Sequence, residues 1–134
     1  MLLKLPLELA VEVLPLVDSL SYSKLTWIGA DGLAFWYVQN PKPNGPIFGS
    51  SDEWKGLAVI FDTFDNDRQG NNPYISVYNN DGTWKYDPNT DGSDHELGGC
   101  KINYRNWDTK VRISYVEGVL MVNSKKSIIA HFEI

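Results

Sequence analysis

The feature that most limits what this chain can fold into is its punctuation. From Leu25 onward, short runs of aromatic and β-branched residues alternate with clusters of glycine, proline, asparagine and aspartate, at intervals of about 8–12 residues. No segment beyond the first twenty-five or so residues keeps a helical period, about 3.6 residues, for long enough to form an amphipathic helix. Runs this short bury apolar side chains only by pairing as strands. The expected class is therefore all-β, with a sandwich or barrel as the architecture. A length of 134 residues is enough for one domain with a hydrophobic core.

Individual strands follow from the pattern. Residues 33–38 (Leu-Ala-Phe-Trp-Tyr-Val) form a dense run after Gly29 and Gly32 and read as a buried strand. Residues 39–51, rich in proline and glycine, must be a loop. Residues 56–64 read as a second buried strand that runs directly into polar residues 65–72, closed by Pro73. Residues 74–78 and 83–86 read as two short strands joined by a hairpin at Asp81-Gly82. A long polar loop over 87–99 follows. Residues 110–115 and 119–122 flank Glu117-Gly118 as another hairpin, and 127–134 form a last strand.

Charge removes one class of function. Twelve basic against seventeen acidic side chains leave a net charge of -5, whereas nucleic-acid binding runs on clustered Lys and Arg. Asp62, Asp65, Asp67, Asp81, Asp87, Asp91 and Asp94 fall in one central stretch. Carboxylates so close repel one another unless a cation or a basic partner sits among them; the alternative is a solvated acidic surface. Cys100 is the one cysteine, so neither a disulfide framework nor a zinc cluster is expected, and a structural thiol is the default. There is no Asn-x-Ser/Thr sequon. Residues 1–25 read as a leader of unclear nature. The first twenty are apolar but interrupted by Glu8, Glu12 and Asp18, too charged to span a bilayer; their Leu/Val pattern suits a short amphipathic helix stopped by Pro15.

The chemistry concentrates where residues 56–64 meet their loop. Asp62, Asp65, Asn66 and Asp67 place four oxygen-bearing side chains within six residues, followed by Asn71 and Asn72. Hard cations such as calcium take six to eight oxygens from carboxylates, amides and backbone carbonyls. A strand end fixes the first ligand, Asp62; alternation puts Phe64 on the same side, and Asp91 on the next long loop can complete the cage. The competing reading is that Asp65, Asn66 and Asp67 only make local turns. An EF-hand is rejected: Asp87-x-Asn89-x-Asp91-Gly92 fits its start, but Gly98 stands where the closing glutamate belongs and the flanks are strand-like. Enzyme chemistry is not expected. No strand carries the paired carboxylates of a glycosidase, and His95 and His131 lack a nucleophile partner, which leaves them as surface or packing residues.

Several motifs in order resemble one family: Gly29-Ala30-Asp31-Gly32 with the strand after it, Gly45-Pro46-Ile47-Phe48-Gly49, the segment from Phe61 to Asp67, Asn80-Asp81-Gly82, and Leu97-Gly98-Gly99-Cys100. Together they are similar to the L-type (legume-like) lectins, in particular the mannose-binding cargo lectin subgroup of the ER–Golgi intermediate compartment. The resemblance covers about residues 28–122 and implies an antiparallel β-sandwich of the concanavalin A-like, jelly-roll kind, here residues 26–134 and incomplete at both ends. It implies that Asp31, preceded by a cis peptide bond, and Asn66 bind the sugar. It further implies that Asp62, the Phe64 carbonyl, Asn66 and Asp91 hold calcium, with a second calcium among Asp65, Asp67, Asn71 and Asn72. The implied ligand is a high-mannose glycan on glycoprotein cargo, in the lumen of the ER, the ER–Golgi intermediate compartment or the Golgi. Members of the family are membrane-anchored, but no span is expected in this chain.

Departures from the pattern bear on the sugar. The family's sugar-binding histidine follows Tyr-Asp, and here Tyr86-Asp87 is followed by Pro88, which has no side-chain donor or acceptor. The last sugar-contacting loop would fall after Ile134, as would the partner implied for Cys100, and the strands preceding Gly29 are replaced by the leader. A second reading therefore stands beside the lectin: a truncated, sugar-blind sandwich that at most binds calcium or a protein partner.

Overall fold

The computed structural model describes residues 7–13, 31–39, 41–42, 44–104, 109–124 and 128–133. Its described residues form strands β1 (Leu7–Val13), β2 (Gly32–Val38), β3 (Lys55–Asp62), β4 (Tyr74–Asp81), β5 (Gly98–Lys101), β6 (Thr109–Val116), β7 (Val119–Ser124) and β8 (Ile128–Glu133). The only helical turns among them are two short 3-10 turns, Pro88–Thr90 and Ser93–His95. Every strand pairing is antiparallel, so the all-β class expected from the punctuation is the one adopted. No helix among the described residues is long and apolar enough to cross a membrane.

The chain divides into two compact units, each built on one four-stranded sheet. The first sheet has the order β1-β6-β7-β8. Its β6–β7 hairpin turns on Glu117 and Gly118, with φ of 51° and 85°. Two successive positive φ values match the right-handed twist of the flanking strands, which is why Glu-Gly serves there. Val111, Ile113, Leu120 and Val122 are its buried residues.

The second sheet, in the order β2-β3-β4-β5, carries the residues of interest. Strand β3 is its spine, buried from Leu57 through Asp62. Even-numbered residues of β3, Ala58 and Ile60, face an aromatic cluster of Trp54, Tyr78, Tyr86, Trp36 and Trp84. The rings meet edge to face, Trp36 and Trp54 at 5.0 Å between centroids and Tyr78 and Tyr86 at 5.6 Å. Offset and edge-on contacts are favoured because a ring's negative face meets another's positive edge.

Three local expectations are corrected. Residues 7–13 form strand β1, not an amphipathic helix, and pair with β6 from Leu7↔Tyr115 to Val13↔Thr109. Leu7, Leu9, Val11 and Val13 alternate with Glu8, Ala10 and Glu12, a two-residue period that suits a strand. The rest of that leader, Pro15 included, lies outside the described residues. Residues 83–86 do not form a strand. The Asn80 and Asp81 side chains accept hydrogen bonds from Gly82 N and Thr83 N at 2.8 and 3.0 Å, and Asn80 Nδ2 donates to Trp84 O at 2.8 Å. These bonds turn the chain away from the β4 ladder, and Tyr86 N donates instead to Asp52 O, ahead of β3, at 2.8 Å. Finally, β5 starts inside the segment read as loop, because Gly98 and Gly99 pair with Val77 and Ser76.

Candidate functional site

Asp62 ends β3, and the sheet fixes it there. The residue is 4% exposed, at register with Gly32 on one side and Tyr74 on the other. Gly32 has a φ of 135°, and a Cβ there would collide with the Phe61 carbonyl. Glycine lets β2 approach β3 closely at this point, and the Asp31 carbonyl then accepts from Thr63 N at 2.8 Å. Asp31 is thereby held, exposed, at the edge beside Asp62. The cis peptide expected before Asp31 involves Ala30, outside the described residues.

The loop after β3 folds on its own carboxylates. Phe64 N donates to Asp62 Oδ1 at 2.9 Å, and Gly70 N and Gln69 N donate to Asp65 Oδ2 and Oδ1 at 2.9 and 3.1 Å. Asx bonding of this kind is what short acidic side chains do in turns. Asp91, 24 or 25 residues further along, closes the loop from outside: its Oδ2 accepts from Asn66 N at 3.2 Å and from Asp67 N at 3.4 Å. Asp91 itself adopts a left-handed φ of 48°. Its carbonyl accepts from the hydroxyl of buried Tyr78 at 3.0 Å. Gly92 follows because a Cβ there would strike the Tyr86 ring.

Asp62 and Asp91 line two adjoining clefts. One also holds Asp67, Asn71, Asn72 and Glu96. The other holds Asp31, Asn66, Phe48 and Pro88. Burial pushes the Asp62 carboxyl up from 3.8 to about 7, only partly opposed by the Phe64 N–H, and the charges of Asp91 and Asp31 push it the same way. Burial raises Asp91 too, with the charges of Asp67 and Asp65 adding to it. Burial likewise raises Glu96, whose Oε1 accepts from Tyr74 OH at 3.0 Å. Negative charge is thus concentrated where the fold makes it costly, an arrangement that favours a cation.

The donor set fits calcium. Carboxylate oxygens of Asp65, Asp67 and Asp91 lie within 4.8 Å of one another. The Asn71 side-chain carbonyl oxygen is buried without a hydrogen-bond partner, in the wall of the cleft that Asp62, Asp67 and Asp91 share. A buried acceptor left unmatched costs free energy until something electropositive meets it. Every ligand type present is a hard oxygen, the chemistry of calcium and not of zinc. The Phe64 carbonyl accepts from Asn72 Nδ2 at 2.9 Å and keeps a second lone pair.

Of the residues assigned to sugar or metal, Asp62 and Asp91 lie where the two clefts adjoin, Asp31 and Asn66 on one side, and Asp67, Asn71 and Asn72 on the other. Asp65 and Phe64 line neither cleft: Asp65 joins the Asp67–Asp91 cluster, and the Phe64 carbonyl meets Asn72 Nδ2. His95 is exposed and stacks on Trp84 at 4.2 Å. Cys100 is a free, half-buried thiol. Sequence reasoning missed Tyr78, which tethers Asp91, and Glu96 and Phe48, which line the clefts. Tyr78 and Glu96 had no local signal, since each acts through a partner distant in sequence; Phe48 sits inside a quoted motif but gained no role from it.

With this all-β fold, the chain belongs to the legume-like lectin family, which it matches over residues 17–133. That is a lectin family, not a family of enzymes. Its relatives are more particular. The chain is 44% identical over 97 residues to Protein ERGIC-53 of Mus musculus, covering 71% of this chain and 19% of that protein. It is 43% identical over 96 residues to the vesicular integral-membrane protein VIP36 of Mus musculus, covering 69% of this chain and 27% of that protein. The crystal structure of the VIP36 exoplasmic/lumenal domain in its Ca2+-bound form matches with a TM-score of 0.71 and 36% identity, covering 85% of this chain and 50% of that one. The Ca2+/Man3GlcNAc-bound form matches with a TM-score of 0.67 and 38% identity, over 78% of this chain and 46% of that one. The chain thus spans about half of those solved domains and a smaller share of the full-length relatives.

Proposed function

We propose that this chain binds high-mannose glycans of glycoprotein cargo in a calcium-dependent way, in the lumen of the ER–Golgi pathway. The observation that carries the reading is the sharing of Asp62 and Asp91 between a cleft rich in oxygen-bearing side chains and a second cleft that Asp31 and Asn66 also line. The VIP36 domain, similar in sequence and fold, has been crystallised with Ca2+ and mannose and with Ca2+ and Man3GlcNAc.

In this reading Asp62, the Phe64 carbonyl, Asn66 and Asp91 hold one calcium, and Asp65, Asp67, Asn71 and Asn72 are the ligands for a second. Calcium, when bound, supplies the positive charge that offsets the buried carboxylates. The chain's own residues do the rest. Asp91 gathers the Asn66 and Asp67 N–H groups and holds the loop in one conformation, so the Asn66 amide meets a ligand already ordered, which lowers the entropic cost of binding. The Asp31 carboxylate, set at the cleft edge by the Gly32–Asp62 approach, accepts sugar hydroxyls.

Pro88 in the cleft wall favours a second reading, a domain that binds calcium or a protein partner but no sugar. One pair of measurements decides. Thermal unfolding in millimolar calcium is expected to exceed that in chelator, by about 2.7 kcal/mol at a hundredfold excess over the dissociation constant. In calcium the chain should be retained on mannose resin, and Asp31→Ala should lose retention while keeping the thermal shift. A calcium shift with no retention of either protein selects the sugar-blind reading.

A further inference from the structure

The cleft edged by Asp31 and Asn66 has a second wall made of carbon. Pro46, Ile47, Phe48 and Pro88 line it together with the ring of buried Tyr86. Neither Phe48 nor Pro88 carries a side-chain hydrogen-bonding atom. Phe48 is held there against its own preference: its φ of 42° lies in the left-handed region, which a bulky side chain seldom adopts. The turn enforces it. Ile47 N donates to Ser50 O at 3.0 Å and Ser50 N to Ile47 O at 2.8 Å, while Trp36 Nε1 donates to the Phe48 carbonyl at 3.4 Å. The Phe48 ring then meets the Tyr86 ring edge to face at 6.4 Å. Pro88 is set equally firmly, at the start of a 3-10 turn capped by Asp87, whose Oδ1 accepts from Asn89 N at 2.8 Å. A residue held in a strained backbone conformation in a cleft wall, as Phe48 is, points to selection of what the cleft admits.

We propose that this wall makes the cleft prefer a mannoside that is deoxygenated or O-methylated on the edge turned toward Phe48 and Pro88. The inference rests on the carbohydrate reading above. A hydroxyl pressed against that wall leaves water and finds no partner, whereas a C–H edge or a methyl group gains apolar burial against the rings. The polar edge of Asp31 and Asn66 keeps its demand for hydroxyls, so only one side of the sugar is affected.

The test is a calorimetric titration of the full chain, in saturating calcium, with methyl α-mannoside and its singly deoxygenated and singly O-methylated derivatives. At least one derivative should bind roughly threefold to fivefold more tightly than the parent, the effect of burying one methylene-sized group. Pro88→Ser, at an exposed position, should erase that preference while leaving the calcium-induced melting shift unchanged. Phe48→Gly, which relieves the left-handed backbone as it removes the ring, should do the same. Parent mannoside bound at least as tightly as every derivative overturns the proposal and leaves the carbohydrate reading standing; so does a preference that survives both substitutions. Binding of no sugar at all removes both.

Discussion

The two clefts share Asp62 and Asp91 yet differ in their other lining residues, and the difference lies in what each loop brings to the common carboxylates. The loop after β3 contributes Asp67, Asn71 and Asn72, so one side gathers oxygen-bearing side chains and carries an unmatched Asn71 acceptor. The Ile47–Ser50 turn and Pro88 contribute rings, so the other side has a polar edge and a carbon wall. A single buried aspartate at a strand end thus lines both clefts, and in the proposed function it serves the cation and borders the sugar. What distinguishes them is the second wall, not the shared residues.

The hardest blow to that comparison is removal of the shared group. Asp62→Asn should weaken calcium binding on the order of a hundredfold or more, since a neutral amide replaces a carboxylate ligand, and mannose retention should go with it. In chelator the same variant is expected to melt higher than the parent, because it no longer buries an ionisable carboxyl while keeping an acceptor for Phe64 N. Calorimetry for calcium and a melting curve in chelator read the two effects separately. Sugar binding that survives undiminished would mean the clefts are independent.

Acidity should separate calcium-free from calcium-bound protein. Asp62 holds its proton to about 7 in the folded chain, against an ordinary value of 3.8. Between those values the folded state binds more protons than the unfolded one, so stability in chelator falls as pH rises through the window. Burial of Asp91 acts in the same direction. With calcium the trend reverses, because protons then compete with the metal for the same oxygens. Melting temperatures from about pH 5 to about pH 7.5, with and without calcium, should therefore slope in opposite directions. Parallel slopes would show that Asp62 is not a ligand.

The smallest effect probes the tether. Tyr78→Phe removes one hydrogen bond to the Asp91 carbonyl and should cost about 0.5–1.5 kcal/mol of stability. Calcium affinity should weaken slightly, as Asp91 loses a fixed position; an unchanged affinity would assign Tyr78 to the core alone.

The site was legible in the sequence to the extent that its parts are local. Asp62 at the end of an apolar run, and the Asp65–Asn66–Asp67 cluster after it, stand in the order in which the loop uses them. The motifs around Asp31 and Phe48 carried the family resemblance. Tyr78, Glu96 and the Phe48 wall were not legible as site residues, because each acquires its role from a neighbour across the sheet. The same limit explains two errors of fold. A strand was read after Asp81-Gly82, where the Asn80 and Asp81 side chains capture the following N–H groups and turn the chain aside. The Leu/Val pattern of the first twenty residues suits a short helix, but pairing with β6 gives residues 7–13 the partner that a two-residue period needs.

The sequence by itself determined the all-β class, the strands around Gly32, Ala58 and Ile60, and the supply of oxygen ligands, since periodicity, turn residues and side-chain chemistry act over a few neighbours. Only the tertiary structure decided that Asp91 closes the loop at Asn66 and Asp67, that burial pushes the Asp62 carboxyl up, and that carbon and oxygen line one cleft together. Those outcomes depend on which distant residues a sheet brings into register, and on how much water it leaves beside them.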